Sequence, residues 1–114
     1  TGLSATSILS DMEIEIPYSE IPGFAVSTVD GHDGVMSYGT VSGKKILVYR
    51  RRFHYYEGYE NDDIFQNINF AKDLGINLLI LTNAAGGINR RFRVSDIMLI
   101  TSHYNFIKNR FTEN

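Results

Sequence analysis

The sequence predicts an α/β fold, a mixed β-sheet with flanking helices, and three observations lead to it. Residues 62–75 carry apolar side chains at helical spacing and close on a glycine. The apolar run Ile76 to Leu81 follows at once, as a strand buried on both faces would. Upstream, apolar segments separated by Asp-Gly and Ser-Gly reversals read as an antiparallel meander. Helix, short turn and buried strand make half of a βαβ unit, which is what assigns the class.

Ser4 is an N-cap, and Ile8, Leu9 and Met12 fall at helical spacing, which predicts a short helix over residues 5–12. Glu13 to Ile16 run on extended, and Pro17 and Pro22-Gly23 mark a loop. Phe24 to Val29 reads as a strand, Asp30 to Gly34 as a turn, and Val35 to Val41 as the next strand. Ser42-Gly43-Lys44 reverses the chain, and Lys45 to Tyr49 runs back to deliver the cluster Arg50-Arg51-Arg52-Phe53-His54-Tyr55-Tyr56-Glu57-Gly58-Tyr59. Asp62 or Asp63 then caps a helix with apolar positions Ile64, Ile68 and Ala71, flanked by Phe65 and Leu74, and Gly75 ends it in the left-handed conformation. The strand Ile76 to Leu81 leads from its carboxyl end into Thr82-Asn83-Ala84-Ala85-Gly86-Gly87-Ile88-Asn89, where open α/β sheets bind ligands. Ile97 to Thr101 is one more strand, and the polar tail to Asn114 carries no pattern. Neither a repeat nor a linker interrupts the chain, so residues 1–114 are expected to form a single domain.

Composition narrows the function classes. The 114 residues are 43% hydrophobic and 21% charged, the balance of a folded chain rather than a disordered one. Thirteen acidic residues outnumber eleven basic ones, for a net charge of -2, which argues against a nucleic-acid module built on phosphate neutralisation and aromatic stacking. With no cysteine there is neither a disulfide framework nor a thiolate metal site, as suits a reducing compartment. The three histidines lie far apart with no carboxylate at ligand spacing, so no metal is expected, and no Gly-x-Ser-x-Gly nucleophile motif occurs. No apolar run approaches the roughly 18 residues of a membrane span, and no signal-like segment leads the chain; the expectation is a soluble, cytoplasmic protein. The opening Thr1-Gly2-Leu3 has no initiator methionine and no strand to feed it, as in a processed product or a piece of something longer.

The chemistry concentrates in Arg50 to Tyr59, where three cations, an imidazole, phenols and a carboxylate meet at a strand end. Arginine presents a planar fork of donors to phosphate oxygens, and histidine exchanges a proton near neutral pH. On its own the cluster is balanced between an anion site and a solvated basic loop. Ala84 to Gly87 either lets a backbone approach phosphate closely or simply turns. Thr1 to Ser4 is a phosphate cradle at a helix start or a plain cap, and His32, between Gly31 and Asp33, is a surface histidine or a ligand.

Taken together, Ser27-Thr28-Val29-Asp30-Gly31-His32, Arg52-Phe53-His54-Tyr55-Tyr56-Glu57-Gly58-Tyr59, Thr82 to Asn89 and Asp96-Ile97-Met98-Leu99-Ile100 closely resemble the trimeric purine nucleoside phosphorylases. Order, spacing and residue type all match, over nearly the whole chain. The resemblance implies an incomplete nucleoside phosphorylase fold, corresponding to the N-terminal half of the family. It implies a glycosyltransferase of purine salvage, in which orthophosphate attacks the anomeric carbon of a purine (deoxy)ribonucleoside and releases the free base and (deoxy)ribose 1-phosphate. No cofactor is implied beyond orthophosphate as co-substrate. The implied partners are small molecules and further copies of the chain in a homotrimer, without nucleic acid or membrane. Residue by residue, the resemblance assigns phosphate binding to Thr1, His32, Arg52, His54 and the Ala84 N-H, and the nucleoside to Tyr56 and Asn83. His54 and Glu57 are the implied catalytic pair, Glu57 orienting His54 or sharing a proton with phosphate. Such a reaction needs an anionic nucleophile held in line beneath the anomeric carbon, whose charge also stabilises a cationic sugar.

Some positions depart from the family. Arg51 stands where a glycine precedes the arginine, Asp30 and Asp33 flank His32, and Ser102 precedes His103 where an aspartate is usual. The family's base-reading residues lie in its other half, so this chain is expected to be inactive alone. The alternatives are a non-catalytic remnant of the same fold that binds phosphate or self-associates, and an enzyme like the 5'-methylthioadenosine phosphorylases. The latter share the Thr1-Gly2-Leu3 start and lack the Arg-Phe-His-x-Tyr-Glu-Gly run.

Overall fold

Residues 8–25 and 34–106 are described by the computed structural model, and the regular elements among them lie in one unit, Thr1–Thr82. Asn83–Asn114 forms a second unit. Strands β1 (Asp11–Pro17), β2 (Val35–Val41) and β3 (Lys44–Tyr49) make an antiparallel sheet in the order β1-β2-β3. The reversal between β2 and β3 falls at Ser42 and Gly43, where the sequence predicts it, and both residues have positive φ, 48° and 77°. Register aligns Ile16, Met36 and Tyr49 in one row, and all three join the core. In the neighbouring row the buried Ser37, between Glu15 and Val48, donates to Glu15 Oε2 at 3.2 Å, and further along the sheet Glu13 pairs with Lys45.

Two expected elements give way here. The helix over 5–12 does not form in its described part, because Asp11 and Met12 open β1 and the Ser10 N-H bonds the Thr40 carbonyl at 2.9 Å. Residues 12–16 alternate apolar and acidic with period two, and the edge of β2 satisfies their backbone, whereas a lone helical turn is costly to nucleate. Phe24 and Ala25 lie in a loop rather than opening a strand, and residues 26–29 fall outside the described residues. The place beside β2 that the meander assigned to Phe24–Val29 is taken by β1.

Helix α1 (Asn61–Asp73) forms where its apolar period predicts. Its N-cap is Glu60, ahead of the expected Asp62 or Asp63. Asp63 instead accepts the Glu60 N-H at 3.3 Å, and both aspartates sit in the first turn, where a carboxylate meets the positive end of the helix dipole. Gly75 closes the helix at φ 75°, its N-H bonded to the Lys72 carbonyl at 2.9 Å. Ala71 is buried and Ile64 half-buried as expected, but Phe65 and Ile68 lie at the surface and Asn67 takes the inward position.

The inner layer is aromatic. Tyr18, Phe24, Met36 and Phe53 form the buried cluster. Tyr18 is 2% exposed, and its ring lies 5.2 Å from Phe24 and 5.8 Å from Phe53. Its hydroxyl donates to the Arg51 carbonyl at 2.8 Å and accepts from Asn67 Nδ2 at 3.3 Å. Gly34 backs this ring so closely that a Cβ there would collide with it, while the Gly34 carbonyl takes the Tyr18 N-H at 2.8 Å. Gln66 ties the loop after β1 to α1, accepting the Ala25 N-H at 2.8 Å and donating to the Gly23 carbonyl.

Ile76 to Leu81 and Ile97 to Thr101, both expected as strands, are in no sheet among the described residues. Leu78 is 71% and Ile97 99% exposed. Strands buried on both faces draw their stability from paired edges and covering layers, and the described residues offer these segments neither. Among the described residues no helix is long and apolar enough to cross a membrane.

Burial pushes the Tyr18 phenol up to about 12, and also Tyr49, whose buried hydroxyl has no partner among the described residues. The folded chain therefore holds these protons more tightly than the unfolded one. Their contribution to stability is full below pH 10.0 and is lost as pH rises toward about 12. Tyr18→Phe is expected to cost about 1 kcal/mol at neutral pH through its two lost hydrogen bonds, and to make the alkaline decline shallower. Urea unfolding at pH 7 and across the alkaline range measures both.

Candidate functional site

The cluster after β3 acquires its geometry from one buried ring. Arg50 still belongs to the sheet, its N-H on the Val35 carbonyl at 3.0 Å, and its guanidinium reaches Glu15 and, at 3.3 Å, Ser37 Oγ. Phe53, 5% exposed, packs against Tyr18 and, at 5.0 Å, against Tyr59. In an extended stretch neighbours of an inward side chain point outward, so Arg52 is exposed and His54 keeps 41% of its side chain in solvent. Among the described residues no hydrogen bond or ion pair engages the Arg52 side chain.

A single 3-10 turn, Tyr55–Glu57, follows. The Glu57 N-H bonds the His54 carbonyl at 3.0 Å, and Gly58, at φ 86°, lets the chain leave in a conformation a side chain would resist. The turn brings the Glu57 carboxylate back onto the cluster. Oε1 lies 2.5 Å from His54 Nδ1 and Oε2 lies 2.6 Å from Arg51 Nη2. The His54 and Tyr56 rings stack at 5.1 Å and 18°, leaving Tyr56 83% exposed.

The electrostatics follow from that arrangement. The hydrogen bond from His54, and then the bond and charge of Arg51, hold the Glu57 carboxyl below its ordinary range against the opposing effect of burial. An ionised carboxylate can only accept, so Nδ1 carries a proton and Nε2 is left as the nitrogen for a ligand. An exposed guanidinium and a carboxylate-held imidazole on adjacent outward positions can receive an anion.

Of the residues singled out from the sequence, Arg52, His54, Tyr56 and Glu57 come together here. Asn83 and Ala84 are exposed in the second unit, in a stretch without helix or strand ahead of the reversal at Asn89, whose carbonyl accepts the Phe92 N-H at 3.0 Å. Thr1 and His32 lie outside the described residues. Among the described residues no group of three histidines or carboxylates gathers as a metal ion would need. Sequence reasoning passed over Arg51 as the partner of Glu57, and Tyr18 and Asn67 as the side chains holding the Arg51 carbonyl. For Arg51 the signal was a cation six residues before a carboxylate across a glycine-ended turn; for Tyr18 and Asn67 there was none.

The model of the phosphorylase superfamily matches residues 4–114. The chain is similar to purine nucleoside phosphorylase 1 of Geobacillus stearothermophilus, 46% identical over 105 residues that make up 92% of this chain and 38% of the relative. Among solved structures, the purine nucleoside phosphorylase of Schistosoma mansoni in complex with inosine aligns with a TM-score of 0.73 at 43% identity, over 82% of this chain and 32% of that one. A purine nucleoside phosphorylase in complex with ribose 1-phosphate aligns with a TM-score of 0.72 at 44% identity, over 84% of this chain and 35% of that one. The sheet and helix are thus part of the α/β nucleoside phosphorylase fold that the sequence predicts. The chain spans less than half the length of the relatives it matches.

Glu57→Gln removes a charge that is largely buried between the Arg51 guanidinium and the His54 imidazole, and is expected to cost roughly 1–2 kcal/mol at neutral pH. Because the folded carboxyl is depressed, that advantage is present above its unfolded value, 4.5, and disappears as pH falls through the lower folded one. Unfolding of the two proteins compared at pH 7 and pH 3 should show the gap close.

Proposed function

This chain belongs to the phosphorylase superfamily, and on that footing we propose that it carries the phosphate and ribose side of a purine nucleoside phosphorylase site. The observation that supports this most directly is the exposed Arg52 beside an imidazole whose Nδ1 is committed to Glu57. In the proposed reaction orthophosphate is held by the Arg52 guanidinium, joined by the Thr1 hydroxyl, His32 and the Ala84 N-H, and donates a hydroxyl hydrogen bond to His54 Nε2. One phosphate oxygen attacks the anomeric carbon of the nucleoside, the glycosidic bond breaks with its electron pair leaving on the purine, and ribose 1-phosphate remains. Tyr56 and Asn83 meet the nucleoside, and Glu57 keeps the imidazole in one tautomer and one orientation. The anion does double service, as nucleophile and as counter-charge to the sugar while it is electron-deficient.

Relatives solved with inosine and with ribose 1-phosphate support the choice of substrate and product. Small-molecule substrates, orthophosphate as co-substrate without further cofactor, a trimer and a cytoplasmic location complete the proposal. The alternative is a non-catalytic role that binds phosphate or self-associates, and the exposed apolar segments around Leu78 and Ile97 favour its self-associating form.

Calorimetric titration with inorganic phosphate tests the site. Arg52→Ala is expected to weaken binding by about tenfold or more, the equivalent of one charge-assisted pair, and undiminished affinity would refute the assignment. The 114 residues by themselves are expected to release no hypoxanthine from inosine in the presence of phosphate. Measurable release in a coupled assay would show that the chain needs nothing further for the chemistry.

A further inference from the structure

Arg51 is anchored at both ends. Its carbonyl accepts from the Tyr18 hydroxyl at 2.8 Å and from Asn67 Nδ2 at 3.2 Å, which fixes its backbone to the core. Its guanidinium meets Glu57 Oε2 at 2.6 Å, with only 16% and 18% of the two side chains exposed. Glu57 is therefore divided between two partners, one oxygen on Arg51 and the other on His54 Nδ1. A carboxylate bonded only to a half-exposed imidazole, at the end of a three-residue turn, would keep its terminal torsion and much of its rotamer freedom. Tethering the far oxygen to a residue pinned on the core removes that freedom.

We propose that Arg51 is a positioning residue: it holds Glu57 so that Oε1 faces His54, and it offsets a carboxylate that would otherwise repel an anion bound beside that histidine. The first half stands on the contacts above, and the second rests on the phosphate-binding reading. Arg51 thus acts on the anion through Glu57, whereas Arg52 meets it directly. The depressed Glu57 carboxyl agrees with a carboxylate kept ionised between two donors.

The test is a double-substitution cycle read by phosphate calorimetry on the protein, Arg51→Met, Glu57→Gln and the pair. Arg51→Met alone is expected to weaken binding of inorganic phosphate by about tenfold, and by less than about twofold when Glu57 is already glutamine. An equal loss in both backgrounds, or none in either, would overturn the proposal, because Arg51 would then act on the anion without Glu57 or not at all. A second measurement needs no variant: the guanidinium resonances of Arg51 in the unsubstituted protein should titrate together with the Glu57 carboxyl. Failure to follow Glu57 would overturn the positioning role whatever phosphate does. A chain that binds no phosphate while Arg51 follows Glu57 would refute the phosphate reading and uphold the clamp.

Discussion

The Tyr18 hydroxyl is one buried atom with two bonds, and the arrangement of the candidate site depends on both. It donates to the carbonyl of Arg51, just after the sheet ends, and accepts from Asn67 on α1. Sheet exit, helix and the turn after β1 therefore meet at one point inside an aromatic cluster. A phenol is suited to this place because its ring contributes packing while its oxygen satisfies polar groups that would be costly to bury unpaired. Asn67 reaches the same carbonyl at 3.2 Å, so the chain at Arg51 has little room to move before Phe53 anchors it again.

From that fixed stretch the roles of the three arginines separate. Arg50 is drawn to Glu15 and Ser37 on the sheet, Arg51 to Glu57, and Arg52 is left exposed. The same cationic side chain thus serves three ends according to what lies opposite it. Two of the carboxylates involved are themselves positioned by local structure, Glu15 by the β1–β2 register and Glu57 by a 3-10 turn that ends on Gly58. Arg51 is accommodated because a carboxylate faces it, and its guanidinium joins the Glu57–His54 pair.

Local rules read well where the interactions are local. β2, β3, their two-residue reversal, α1 and its glycine cap all follow from alternation, helical period and turn chemistry within a few residues. The readings failed where the decisive partner was distant. Met12 looked helical from its neighbours, but its partner Gly39 on the edge of β2, far along the chain, made it part of a strand. Asn67, polar in a helical pattern, was passed over because its burial is justified only by Tyr18 and Arg51. Leu78 and Ile97 lie in apolar runs that state a need for burial, but a local pattern supplies neither pairing nor covering layers, and the described residues leave both segments exposed.

By itself the sequence determined the family and the chemical inventory of the cluster, because a run such as Arg52 to Tyr59 is specific in residue type and spacing whatever surrounds it. The resemblance also paired Glu57 with His54, and the structure joins them through a turn of three residues that brings i and i+3 together. Only the tertiary structure decided which arginine faces outward and which holds Glu57. That choice is made by Glu15, Tyr18, Ser37 and Asn67, whose contacts with the cluster span 13 to 35 positions along the chain and leave no trace in its local pattern.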